Sequence, residues 1–255
     1  MVLQMDTNIT AVVLAHNEEK SIETCLKSLS WCMEVLVIDD ISTDRTADIS
    51  RKNGARVIER KLNNNFSLQR NAALTDAKGE WVLFVDADEQ VPLSLSYEIL
   101  SYISDPMSKY AGFYVRRKDV MWGKNITHGE TASVRLLRLA KRNAGKWTGA
   151  VHERWVVTGR LGELRNELLH FPHQTVTEFL EEVNWYTDLR AAELHAQKTH
   201  TPFWQIVVFP VGKFIQNYLL KLGLLDGMPG LIIALMMSFH SFLVRGKVWQ
   251  LQKSV

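Results

Sequence analysis

Along the first hundred residues, short apolar runs alternate with segments whose apolar positions recur every three or four residues. "ITAVVLA" (9–15) reads as a buried strand, and "NEEKSIETCLKSLS" (17–30) carries Ile22, Cys25, Leu26 and Leu29 at helical spacing. "EVLVIDD" (34–40), "ARVIE" (55–59) and "EWVLFVD" (80–86) read as further strands. Between them, "STDRTADISRKNG" (42–54) opens a helix on Ser, Thr and Asp and closes it on Gly54. "FSLQRNAALTDAKG" (66–79) is a helix that Ser67 can cap and Gly79 can end. This βαβ alternation predicts an α/β class with a parallel sheet and right-handed crossovers. In such sheets ligands sit at the carboxyl ends of the strands. Here those ends are polar: His16, Asn17 and Glu18; Asp39 and Asp40; Asp86 and Asp88.

From about residue 111 the pattern shortens. "GFYVRRK", "SVRLLRLA" and "RWVVTGRLGEL" read as strands of an antiparallel extension. In "SVRLLRL", Arg135 and Arg138 fall on opposite faces of a strand, so at most one can point at a bound diphosphate. "TVTE" (175–178) forms a capping box, and the helix after it places Phe179, Leu180, Val183, Tyr186 and Leu189 on one face. The final stretch is far more apolar. "FWQIVVFPVGKF" and the run from Met228 to Val244 are broken by Lys213, Asp226, Pro229 and His240. The second run falls short of the roughly 20 residues that a spanning helix needs. Lys213, Lys221, Arg245 and Lys247 flank both runs, which suits amphipathic helices lying on an anionic membrane surface. A buried helical core is the alternative. The expected division is a catalytic domain over residues 1–200 and a membrane-associating helical tail over 201–255.

Composition narrows the functional classes. Of 255 residues 46% are hydrophobic, enough for a sizeable core, and 30 Lys and Arg against 28 Asp and Glu leave a net charge of only +2. Nucleic acid is therefore not an expected partner. Cys25 and Cys32 fit neither a disulfide framework nor a zinc spacing, which suits a reducing compartment. "MVLQMDTNIT" has no basic region or apolar core, so no signal peptide is expected.

The densest chemistry lies in "WVLFVDADEQ" (81–90), where a strand built for burial runs straight into three acids. Asp86 and Asp88, two apart at a strand end, can both turn to the crevice and hold Mg²⁺ or Mn²⁺. The competing role is a helix N-cap cluster before Pro92 and Ser94. Neither G-x-G-x-x-G nor G-x-x-x-x-G-K-[ST] occurs, so a metal would have to neutralise a nucleotide diphosphate bound there. Asp39 and Asp40 can accept from a base N–H or ribose hydroxyls; capping of the helix behind "STD" is their other role.

"AHNEE", "VLVIDDISTDRT", "QRNAALTDAKGEWVLFVDADEQ" and "GAVHE" resemble glycosyltransferase family 2, above all its bacterial lipopolysaccharide core β-1,4-glucosyltransferases. The resemblance runs over essentially the whole chain, the "LLDGMPGLIIALMMSFHSFLVRGKVW" tail included. It implies a GT-A-like, doubly wound, mostly parallel sheet with a small antiparallel extension and C-terminal amphipathic helices. It also implies a nucleotide-sugar donor contacted by Asn17, Glu18, Asp39, Asp40, Arg70 and Asp86. Metal ligands would come from Asp86, Asp88, Gln90 and His170; for His170 a purely structural role stays open. Glu153 of "WTGAVHERW" would be the base, with His152 orienting it or touching substrate, while a salt bridge of Glu153 to Arg154 or Arg135 is the rival role. Ile41 stands in "DDIST" where the family commonly has Gly or another small residue, and a slightly altered turn is expected. The implied activity is inverting transfer of a hexose, glucose by the resemblance, from a UDP-sugar to a lipid-linked saccharide such as the lipopolysaccharide inner core. The enzyme would sit at the cytoplasmic face of the bacterial inner membrane. A polyprenyl-phosphate glycosyltransferase is the near alternative. A sugar-phosphate nucleotidyltransferase would need a Gly-rich loop after the first strand, and "AHNEEKS" has none.

Overall fold

The computed structural model describes residues 8–63, 65–130, 134–149, 153–172 and 175–253. They fall into two compact units, Met1–Arg117 with Val134–His170, and Lys118–Ser133 with Phe171–Val255.

The first unit opens with β1 (Ile9–Ala15), α1 (Ile22–Ser28), β2 (Glu34–Asp39), α2 (Thr46–Lys52), β3 (Arg56–Glu59), α3 (Phe66–Asp76) and β4 (Trp81–Asp86). It continues through β5 (Glu89–Gln90), α4 (Leu93–Ile103) and the start of β6 (Tyr110–Met121). A short strand, β7 (Lys124–Asn125), pairs with the end of β6 in the second unit. Back in the first unit are β8 (Arg135–Lys141), β9 (Gly145–Thr148), β10 (Arg154–Val157) and β11 (Arg160–His170). The main sheet runs β3-β2-β1-β4-β8-β6-β11-β5, with β9 and β10 as a separate antiparallel pair. β3, β2, β1 and β4 are parallel, and β8 turns the sheet antiparallel. The expected α/β architecture is therefore present, and the antiparallel extension is larger than the sequence suggested.

β1 and β4 are the middle of the parallel part, and Ile9, Val12, Val13, Val82, Phe84 and Val85 are fully buried there. Helices on both faces take that apolar surface out of water, which is why these strands read as continuous apolar runs. Two expected helices begin late. α1 and α2 start at Ile22 and Thr46, because the polar residues before them are bonded to one another in turns. The cap of α3 is Asn65, whose Oδ1 accepts from the Leu68 N–H at 3.0 Å; Ser67 instead donates to the Gly149 carbonyl.

The second unit contains α5 (Val176–Ala196), α6 (Phe203–Ile215) and α7 (Gly227–Lys253), with a π turn (Gln216–Leu220) and a 3-10 turn (Gly223–Asp226) between the last two. The Thr175–Glu178 capping box forms as expected. The buried stripe of α5 is Phe179, Val183, Thr187 and Ala191, whereas Leu180, Tyr186 and Leu189 stay exposed. Phe179 and Val183 pack with Ile233 and Met236 of α7 and with Met121 and Ile126. α5 thus belongs with the C-terminal helices, although the sequence grouped it with the first 200 residues. α7 extends to 27 residues, past the Val244 at which the apolar run ends, because Lys247 continues the helix by bonding Asn184, Thr187 and Asp188 of α5. Asp226 is buried and accepts from the N–H groups of Thr127 and His128 and from the Thr127 hydroxyl, tying the 3-10 turn to the β7 segment.

Candidate active site

Strand register sets the site. Leu14 pairs with Asp86 and Ala15 with Asp39, so the turns after β1, β2 and β4 emerge at one edge of the sheet. Asn17 and Glu18 leave β1 there. Asn17 is in the left-handed region and its Oδ1 accepts from the Thr43 N–H at 2.8 Å, while its own N–H donates to Ser42 Oγ at 3.0 Å. Asp39 is 1% exposed, and its oxygens accept from the Ser42 N–H at 2.9 Å and the Ser42 hydroxyl at 2.6 Å. Asp40 Oδ1 accepts from the Leu62 N–H at 2.6 Å. Asp39 therefore holds the turn after β2 and Asp40 the segment after β3, while α2 itself has no side-chain cap. Burial raises the Glu18 carboxyl above its ordinary range against the bond from Ser21, and the negative charges of Asp88, Asp44 and Asp86 push the same way.

Ile41, where a slightly altered turn was expected, adopts φ +51° with its side chain exposed. A β-branched residue in this region costs roughly 1–2 kcal/mol. Ile41→Gly relieves that strain but gives back roughly 0.5–1 kcal/mol to the freer unfolded chain, so a net gain of about 0.5–1 kcal/mol is expected. Urea unfolding of the two proteins measures it.

The acids at the end of β4 are balanced by two buried arginines. Arg138 of β8 holds both oxygens of Asp86, through Nη1 at 3.3 Å and through a shorter bond from Nη2, and reaches Glu89 at 3.4 Å. Arg70 of α3 donates Nη2 to Asp86 Oδ1 at 3.2 Å and Nε to Glu153 Oε1 at 3.0 Å. Burial alone would raise Asp86, but Arg138 and Arg70 outweigh it and hold the carboxyl well below its usual range. Glu89 is fully buried, and desolvation, with Asp86 nearby, pushes it up to about 7 despite Arg138. Burial opposes the charge on Arg138, and Asp86 and Glu89 more than restore it. Arg70 Nη1 and Arg138 Nε are buried without a hydrogen-bond partner among the described residues.

Glu153 immediately precedes β10. Its reach to Arg70 is fixed by an aromatic layer: Trp147 and Trp155 stack at 5.3 Å, both rings meet Phe84 edge-on, and the Arg70 guanidinium lies 4.7 Å from the Trp147 ring. Asn71 completes the link by exchanging two hydrogen bonds with the Trp147 backbone. The partner of Glu153 is thus Arg70, not Arg154 or Arg135; Arg135 pairs with Glu163. Glu153 Oε2 has no bond among the described residues. His152 lies outside the described residues.

β5 pairs antiparallel with β11, His170 opposite Glu89 and Leu169 opposite Gln90, which brings His170 Nε2 to 3.1 Å from Asp88 Oδ2. Of the expected metal ligands, Asp88 and His170 stand together, Asp86 is taken by the arginines, and Gln90 lies on β5. Among the described residues no three His, Cys, Asp or Glu side chains gather as a metal cage. Mg²⁺ and Mn²⁺ are commonly held by one or two protein groups, with water and substrate phosphate filling the shell, so an Asp–His pair fits an ion shared with a diphosphate. Sequence reasoning did not find the pairing of Arg138 with Asp86 or the burial of Glu89. The three-residue offset of Arg135 and Arg138 signalled one inward arginine without saying which.

The strand-end turns of this α/β sheet thus gather acids, arginines and a histidine, and the sequence relatives specify the family. A family model described as glycosyl transferase family 2 matches residues 10–157, more than half of the chain, and the chain belongs to that family. It is similar to the lipopolysaccharide core biosynthesis glycosyltransferase LpsC of Rhizobium meliloti, 26% identical over 95% of this chain and 92% of that one. A glycosyltransferase of Rickettsia bellii is 22% identical over 95% of this chain and 86% of its own. Glucosyl-3-phosphoglycerate synthase of Mycobacterium tuberculosis, solved with Mn²⁺, UDP and glucosyl-3-phosphoglycerate, is 24% identical over 46% of this chain, with a TM-score of 0.35. The match spans less than half of that solved chain, 45%.

Proposed function

We propose that the protein is an inverting hexosyltransferase that uses a nucleotide-sugar donor and a divalent cation. It moves glucose from UDP to a hydroxyl of a lipid-linked saccharide of the lipopolysaccharide inner-core kind, at the cytoplasmic face of the inner membrane. The observation that carries this reading is the linked set Glu153–Arg70–Asp86–Arg138 beside the Asp88–His170 pair, at the strand ends of a family 2 chain. The likeness to LpsC along nearly the full length supports the acceptor class. The sugar and the nucleotide rest on the resemblance of the motifs.

Glu153 takes the proton of the acceptor hydroxyl on Oε2, while Arg70 fixes Oε1 and so aims the carboxylate. The acceptor oxygen attacks the anomeric carbon from the face opposite the diphosphate, and the bond from that carbon to the diphosphate oxygen breaks. A cation on Asp88 and His170 would neutralise the leaving diphosphate. Arg138 and Arg70 keep Asp86 ionised and fix the turn that presents Asp88.

Calorimetric titration of UDP-glucose tests the metal pair. With Mn²⁺ present, Asp88→Ala and His170→Ala are each expected to weaken donor binding about tenfold or more, and EDTA to bring wild type to the same level. Unchanged affinity in both variants would remove the cation from Asp88 and His170.

A further inference from the structure

Resting on the lipid-borne acceptor proposed above, we infer that the second unit is a one-sided membrane device. The α6 face and the turns after it lie in the headgroup region of an anionic bilayer, α5 faces water, and α7 between them does not span.

By length and apolarity alone α7 could cross a membrane. Its neighbours forbid it. α5 runs beside α7 from Ile233 to Lys247, through the Phe179 and Val183 packing and the Lys247 bonds to Asn184 and Asp188. The exposed positions of α5 carry Glu181, Glu182, Arg190 and Glu193 beside Trp185, Tyr186 and Leu189, and Asp188, also exposed, pairs with Lys247 of α7. A spanning α7 would carry these charges into hydrocarbon with it.

α6 differs from α5 in character, although Leu180 of α5 shares an apolar groove with Ile206, Val207 and Pro210 of α6. α6 has no buried residue, and Phe203 (74% exposed), Trp204, Val207, Val208 and Val211 form its open face. The surface continues through Leu220 (75%), Leu225 and Met228 (66%). So large an exposed apolar face marks an interaction site. Its charge identifies the partner. From Lys198 to the last residue there are six basic side chains, Lys198, Lys213, Lys221, Arg245, Lys247 and Lys253, against one acid, Asp226. That acid is buried in its own hydrogen bonds. Within α5 the balance is reversed, five acids to one arginine. Lys247 is held by α5 and Lys213 by Glu130, which leaves Lys198, Lys221, Arg245 and Lys253 as the excess charge. A basic apolar face repels a second copy of itself and is drawn to anionic lipid. At the start of α6, Lys198, His200, Phe203, Trp249 and Lys253 line a cleft of about 790 Å³, whose cations and rings suit a lipid phosphate and its glycerol.

Cys32→Ala proteins, in which the buried Cys25 is the one native thiol left, labelled at Val208→Cys, Leu220→Cys or Glu181→Cys, test the orientation on vesicles of phosphatidylglycerol and phosphatidylethanolamine containing bromine-labelled acyl chains. The labels at 208 and 220 should be quenched and the one at 181 should not. Lys198→Glu with Lys253→Glu should lower vesicle affinity about tenfold or more while leaving transfer to a soluble acceptor at the wild-type rate. Equal quenching at 181 and 208 would mean that α7 inserts across the bilayer. Vesicle binding without quenching at 208 would overturn the orientation and leave membrane attachment standing. Crosslinking between two 208 positions in lipid-free solution would assign the face to a second copy. An active protein that binds no vesicle would remove the membrane-borne acceptor as well.

Discussion

Glu153→Gln is expected to lower kcat by about 10²–10⁴ while leaving donor affinity near wild type. Glutamine keeps the shape and can still accept from Arg70 Nε through its amide oxygen, so the aromatic layer beneath it has no reason to move. What it lacks is the capacity to take a proton from the acceptor. Arg70→Lys separates orientation from basicity: lysine keeps the charge but cannot bridge Asp86 and Glu153 with a planar fork. It should lower kcat by a smaller factor. A wild-type rate in Glu153→Gln would move the base to another residue.

Arg138→Met is expected to cost about 3 kcal/mol of stability, because it leaves the buried Glu89 without its guanidinium and Asp86 with Arg70 alone. Most of that loss is the penalty of stranding the buried Glu89 carboxylate, not the worth of the ion pairs. Arg138→Met combined with Glu89→Gln should therefore recover part of it, and a double-mutant cycle in urea measures the coupling. If the single variant unfolds at the wild-type urea midpoint, the acids at the end of β4 do not depend on Arg138.

The strands carrying the site were legible because burial on both faces makes β1, β2 and β4 unbroken apolar runs, and the acids that follow them have no place in a core. The balancing charges were not legible. Arg138 arrives from a strand about fifty residues later, and only the pairing of β8 with β4 shows which arginine turns inward. Asp39 was legible as a strand-end acid, but not that each of its oxygens accepts one bond from Ser42. His170 depended on β5, a two-residue strand too short for any periodicity to show. In the tail, the apolar content was plain, but its sidedness needed the knowledge that α5, rich in acids, packs on one flank of α7.

Transfer itself is the most direct measurement: the full chain, UDP- and GDP-hexoses in turn, a detergent-solubilised inner-core lipopolysaccharide acceptor, and Mn²⁺ or EDTA, with the product linkage read by NMR. The expected result is hexose transfer from one nucleotide sugar, with inverted anomeric configuration, present with Mn²⁺ and lost with EDTA. A retained configuration, or the same rate in EDTA, would contradict the assignment of Glu153 and the Asp88–His170 pair.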